Sequence, residues 1–441
     1  MYFALEKYNK PIAAIMVFLL AYYMSLGVLA NEKPRAGNYA NSLTANYPPT
    51  DIYNPIYTQD TGRGVSMKET SGLFSFEPKM AMISTERAVE VLQKEWNNEL
   101  LKKYSKTQIC AVTKGVKHVK LRERVNGRYV NLNVIEINKT INPNLVVMPA
   151  TASSSVAGKK GVKNIVSANG AILGVNGTFF KPQNGIPLGA LKVNGELITG
   201  PIYNRVGLGV GDNNYYMSKI AFDGNIQASN GEKIKIDNIN QPRMLASYTL
   251  IYSDKWGKTA PISPKYGMQI KIENNVVTEK STSPLSISTG GYVIVGPAKE
   301  LNRFKINERI NLSLSLNPEW QDVHHVISGG PYLVKDGQAY VDYKEQNLTS
   351  ISGLNPRTAI GYTDTNVLII VTVDGRQENS SGVSLWELAK IMKKLGCINA
   401  MNLDGGGSSQ MVLNGKFVNR PTEGGARSVS NAIILKEMKS L

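Results

Sequence analysis

One stretch constrains the fold of this chain more than any other: Val367-Leu368-Ile369-Ile370-Val371-Thr372-Val373. An unbroken aliphatic and β-branched run of this length describes a strand buried on both faces. It stops at Asp374-Gly375. Ser384 can then cap a helix whose third position is Glu387, the reciprocal arrangement of a capping box. Leu385, Leu388, Ala389, Met392 and Leu395 fall on one helical face, and Gly396 supplies a helix-ending residue. A second strand, 397–403, follows and stops at Asp404. Strand, helix, strand at this spacing reads as a βαβ unit with parallel strands.

Two strands running the same way deliver Asp374 and Asp404 to the same sheet edge, where ligands commonly bind. Neighbouring strands would separate them by about 4.8 Å, and one intervening strand by about 10 Å. Carboxyl pairs that cleave glycosidic bonds sit about 5–9.5 Å apart, so the spacing is compatible with a glycosidase. After Asp404 come Gly405, Gly406, Gly407 and Ser408. Consecutive glycines can turn successive amides into one concavity suited to phosphate or an oxyanion.

The remainder is rich in turns, with 40 Gly and 20 Pro, and points to an α+β fold. The expected architecture is a β-rich mixed sheet core with few helices, the C-terminal βαβ unit and a β-rich insertion at about 240–322. Asn194-Gly195, Asp336-Gly337 and Asn414-Gly415 each lie between apolar runs, the signature of a tight hairpin. A helix is expected from Ser84 to about Lys103. Residues 31–79 show no sustained period and read as a tether or wrapping segment.

Lys7 and Lys10 precede an apolar stretch that reaches Ala30, with Val28-Leu29-Ala30 suiting signal peptidase. The stretch also has the length to remain as an uncleaved membrane anchor. Either reading places the protein outside the cytoplasm. Three parts are expected: a leader or anchor at 1–30, a tether and helix at 31–107, and a catalytic domain at 108–441. Fifty Lys and Arg against 34 Asp and Glu give a net charge of +16, which suits an anionic partner. The basic residues are scattered and no zinc-finger or helix-turn-helix spacing occurs, so nucleic acid is not expected. Cys110 and Cys397 and the three histidines have no metal-ligand spacing, and no metal or cofactor is expected. A single bridge between the cysteines is compatible with the sequence.

The segment 402–408 together with Arg427-Ser428-Val429-Ser430-Asn431 resembles the phosphodiester glycosidase family. Further matches lie in order: 175–180 with Leu188-Gly189, 327–331, 356–361 and Thr372-Val373-Asp374-Gly375-Arg376. The resemblance covers about 115–437. It implies hydrolysis of the bond between a sugar anomeric carbon and a phosphodiester, with a carbohydrate or glycosyl-phosphate polymer as substrate. On that resemblance Asp404 is the leading catalytic carboxylate and Asp374 the second. Asn176 would hydrogen-bond the sugar, and Arg357 and Arg427 would clamp phosphate. Ser328, Gly329, Gly330 and the loop 405–408 would close the pocket. The alternatives are a non-catalytic polysaccharide-binding protein and a hydrolase of ordinary glycosidic bonds.

Overall fold

The computed structural model describes residues 85–438 apart from 106, 243–244, 319, 321–322 and 423–424. The leader or anchor and the tether lie outside the described residues. Helix α1, Thr85–Lys103, carries Glu86 in its first turn and Lys102 and Lys103 in its last, charges that complement the helix dipole. Among the described residues, no helix is long and apolar enough to cross a membrane.

Two antiparallel sheets frame the site, and their strands are numbered together. They are β1 (Ile109–Thr113), β2 (Val116–Val125), β3 (Arg128–Ile137), β4 (Leu145–Thr151), β5 (Leu173–Asn176), β6 (Tyr332–Lys335) and β7 (Gln338–Ala339). Then follow β8 (Arg357–Thr363), β9 (Leu368–Val373), β10 (Cys397–Asn402), β11 (Met411–Leu413), β12 (Lys416–Phe417) and β13 (Asn431–Glu437). The larger sheet has the order β1-β2-β3-β9-β8-β10-β6-β7, and the second β12-β11-β5-β13-β4. A third, five-stranded sheet contains Val206–Gly211 and Val323–Ser328. All three contribute to one apolar core, including Ile135 and Ile370 from the first, Val175 and Ile433 from the second, and Leu208 and Ile327 from the third.

The expected parallel pair is split. β9 and β10 run the same way, but β8 lies between them and pairs antiparallel with both. The cause is local: β8 and β9 are joined by a short turn through Asn366, whose φ is +62°. This hairpin closes with little loop entropy and takes the place beside β9, leaving the strand after the helix to the far side of β8. The edge argument survives, with Asp374 and Asp404 following strands about 10 Å apart.

Helix α2, Leu385–Lys394, connects them, with Ser384 and Glu387 forming the capping box. Its buried residues Leu385, Leu388, Ala389 and Met392 reproduce the apolar face read from the sequence. Glu387 does more than cap: it also accepts from Asn126 Nδ2 at 2.7 Å and pairs with Arg128 at 2.5 Å, tying α2 to the β2–β3 turn. The three Asn-Gly and Asp-Gly turns adopt positive φ at both residues, and Asn126-Gly127 between β2 and β3 is a fourth of the same kind.

The β-rich segment begins earlier than residue 240. Ala221–Ala228 and Lys233–Ile236 share a three-stranded sheet with Ile310–Asn317. That sheet packs with a five-stranded one spanning 238–297 around Ile226, Ile270, Ile294 and Phe304. Both cysteines are free thiols, Cys110 exposed and Cys397 buried. Substituting Glu387→Ala removes a cap and leaves Arg128 without its partner. A loss of about 1–3 kcal/mol in urea denaturation is expected, against a few tenths for the exposed Glu378→Ala.

Candidate active site

The site is assembled where β5 and β10 end and β8 begins. Asn176, the last residue of β5, is fully buried, and its amide is shared among three partners. Its Nδ2 donates to the Asp404 carbonyl at 2.6 Å. Its Oδ1 accepts from the Thr358 hydroxyl at 2.7 Å and from the Gln410 amide at 3.1 Å. The Asp404 amide in turn donates to the Gly177 carbonyl at 3.1 Å. Asn176 is therefore a positioning residue, and the sugar contact expected of it is not open to it.

Asp404 is mostly buried, and burial pushes its carboxyl up to about 6. The Ser408 hydroxyl, the Gly405 amide and Arg427 pull the other way. The Gly405 amide donates to Asp404 Oδ1 at 2.9 Å. Three further amides are also occupied: Gly406 donates to Pro356, Ser408 to Gly405 and Ser409 to Gly406. The glycine loop is thus not the open amide nest read from the sequence. Its glycines instead admit two guanidinium groups. A Cβ on Gly406, whose φ is +60°, would lie 3.3 Å from Arg376 Nη2, and one on Gly407 would lie 2.9 Å from Arg427 Nη2. Arg376 and Arg427 are both exposed. Arg376 is braced by Asn355 Oδ1 at 2.5 Å, whereas the Arg427 guanidinium bonds no other described residue.

Buried polar atoms usually have partners. Around this loop Thr178 Oγ1, Asn402 Oδ1, Ser409 Oγ, Gln410 Oε1, Ser430 Oγ and Asn431 Nδ2 have none among the described residues. They come from the segments 178, 402–410 and 430–431, which Asn176 and its neighbours hold together. Such a concentration provides donors and acceptors for buried water behind the loop.

The other expected site residues have different surroundings. Asp374 is 6% exposed, and its Oδ1 accepts from the Arg420 amide at 3.0 Å and from Asn419 Nδ2 at 3.4 Å. Burial raises its pKa, and those two donors oppose the rise. Asn419 also donates to the Ser409 carbonyl at 3.1 Å, so Asp374 braces the loop that follows Asp404. Its own side chain lines a separate cavity of about 400 Å³.

Arg357, expected as a phosphate clamp, is 2% exposed. Its Nε donates to Val383 at 3.0 Å, and its Nη2 to Ile351 at 2.7 Å and Gly353 at 2.5 Å, all backbone carbonyls. It anchors the loop before β8. Ser328, Gly329 and Gly330 likewise join sheets and do not line the site. The Ser328 hydroxyl accepts from the Ala190 amide at 2.9 Å, and Gly330 donates to the Asn402 carbonyl at 2.7 Å. A Cβ on Gly329 would lie 2.4 Å from that same carbonyl.

Two arginines escaped the sequence reading. Arg376 stands two residues beyond Asp374 inside a motif already singled out, which was signal enough to find it. Arg205 had no such signal. It is 6% exposed, with its guanidinium 5.1 Å from the Phe179 ring centroid and 5.4 Å from that of Tyr203. Its Nε reaches the Gln346 carbonyl at 3.3 Å, and burial pushes its pKa down to about 10. Among the described residues it has no carboxylate partner.

Residues 266–436 match the family model described as phosphodiester glycosidase. The chain carries a domain of that family. YomE of the SPbeta prophage in Bacillus subtilis is 38% identical over 109 residues, covering 24% of this chain and 16% of that protein. Human N-acetylglucosamine-1-phosphodiester alpha-N-acetylglucosaminidase is 34% identical over 109 residues, covering 22% of this chain and 21% of the relative. The chain therefore spans only about a fifth of the length of these relatives. A crystal structure of a hypothetical protein from Synechocystis shares the fold, with a TM-score of 0.69 at 23% identity over 75% of this chain and 63% of that one.

Two outcomes follow for the phosphodiester glycosidase domain. Gly407→Ala should displace the Arg427 guanidinium and weaken retention of inorganic phosphate in a binding titration, with the fold intact by circular dichroism. Asp404 has a folded pKa near 6, above its ordinary 3.8, so ionising it opposes folding. This contribution is absent below about pH 4 and grows as pH rises through 6. Asp404→Asn should therefore raise stability by about 1–3 kcal/mol at pH 8 and by little at pH 4, read from denaturation midpoints.

Proposed function

We propose that this chain is an extracytoplasmic hydrolase that breaks the bond between a sugar anomeric carbon and a phosphodiester, acting on exopolysaccharide or cell-surface glycopolymer. The observation that carries the reading is one carboxyl at the head of a glycine loop against which two exposed guanidinium groups lie. Asp404, Arg376 and Arg427 meet at a loop whose glycines let the arginines approach the backbone.

A phosphodiester is a good leaving group once its charge is matched, so the site has little need of a strong general acid. Arg376 and Arg427 hold the departing phosphate, because the planar guanidinium fork matches its oxygens. Asp404 acts on the other side of the scissile bond. As a carboxylate it stabilises the oxocarbenium-like transition state and either attacks the anomeric carbon or takes a proton from water. Asp374 and Arg357 hold the loops that carry these groups. The family match supports the reaction class, and the apolar N-terminal stretch supports export.

Because Asp404 must be ionised, kcat/KM on a sugar-1-phosphodiester should fall as pH drops below about 6. Asp404→Asn should lower turnover by about 10²–10⁴-fold and abolish that limb of the profile. Arg376→Ala and Arg427→Ala should each lower kcat/KM by about tenfold or more. Arg357→Ala should act chiefly through stability. Unchanged turnover in a folded Asp404→Asn protein would overturn the assignment.

A further inference from the structure

The cavity that Asp374 lines is built unlike a structural void. Its floor holds Asn131, Asn133 and Asp374, and its rim carries Lys120, Arg122 and Arg420. All three cations are exposed, and none forms an ion pair with another described residue. Arg122 is steadied over the Tyr129 ring, 4.4 Å from its centroid.

Strand register connects this cavity to the active site. Lys120 sits opposite Asn133, Asn133 opposite Thr372, and Thr372 opposite Thr358, whose hydroxyl donates to Asn176. One cross-strand row therefore runs from Lys120 to the residue that positions Asp404. Lys120 and Arg122 are two residues apart on one face, about 7 Å, a spacing that serves successive charges on a single extended chain. Arg420 also lines a second cavity of about 600 Å³ with Gln377 and Ala426, which adjoin Arg376 and Arg427 in sequence.

We infer that Lys120, Arg122 and Arg420 form a polyanion subsite that holds further phosphodiester units of a polymeric substrate while one unit occupies the Asp404 site. This rests on the proposed hydrolysis and narrows its substrate from a small sugar phosphodiester to a chain of repeated anionic linkages. A linear phosphodiester backbone is favoured over nucleic acid, because the three cations are interleaved with one stacked tyrosine and no row of exposed aromatic rings to receive bases.

The test uses the full chain carrying Asp404→Asn, so that binding is read without turnover. Binding of poly(glycerol phosphate), of glycerol phosphate and of single-stranded DNA is measured with and without Lys120→Gln, Arg122→Gln and Arg420→Gln together. The inference expects the triple change to weaken poly(glycerol phosphate) binding by about tenfold or more. Single-unit binding should stay within about twofold. In the Asp404 background, hydrolysis of a one-unit sugar-1-phosphodiester should also be preserved. Equal polymer binding, an equal loss for the single unit, or tighter binding of DNA than of poly(glycerol phosphate) would overturn it. The three single substitutions serve if the triple variant does not fold. Absence of hydrolysis by the parent chain would sink the proposed function and leave the binding comparison readable.

Discussion

The side-chain amide of Asn176 is the interaction on which the site depends. Three hydrogen bonds join the end of β5 to the Asp404 carbonyl, to Thr358 on β8 and to Gln410 beyond the glycine loop. Each partner belongs to a segment distant in sequence, so the amide fixes where two sheets meet and where the catalytic loop leaves them. It is fully buried, and an unsatisfied group there would cost about 1–3 kcal/mol for each partner lost. Activity in this arrangement is inseparable from packing.

The loop built on that anchor follows a different logic from an anion nest. The amides of Gly405, Gly406, Ser408 and Ser409 already have acceptors within the protein. In the proposed reading anion recognition passes to Arg376 and Arg427, and the glycines matter because side chains there would push the guanidinium groups away. Burial lifts Asp404 toward neutrality while Ser408, the Gly405 amide and Arg427 restrain the rise, leaving a carboxyl raised to about 6.

Much of the scaffold was legible in the sequence. The buried run 367–373, the Ser384–Glu387 cap and the Asn-Gly turns are local signals, and each corresponds to an observed element. The insertion of β8 between β9 and β10 is a non-local pairing, which periodicity within either strand does not encode. The site was legible in part. Asp404 and Arg427 follow from their motif, yet the same motif reading treated Asn176, Arg357 and Ser328 as ligand contacts. Residue type and order do not reveal whether a polar side chain ends in solvent or on a backbone carbonyl, and these three end inside the protein. Arg205 lay beyond reach because its distinction is an unpaired buried charge, a property of the packed state alone.

The most direct test is a crystal structure of the Asp404→Asn protein soaked with a sugar-1-phosphodiester. The account predicts phosphate oxygens held between Arg376 and Arg427 over Gly406 and Gly407, with the anomeric carbon facing residue 404. Phosphate bound elsewhere, with residue 404 out of reach of the sugar, would contradict it.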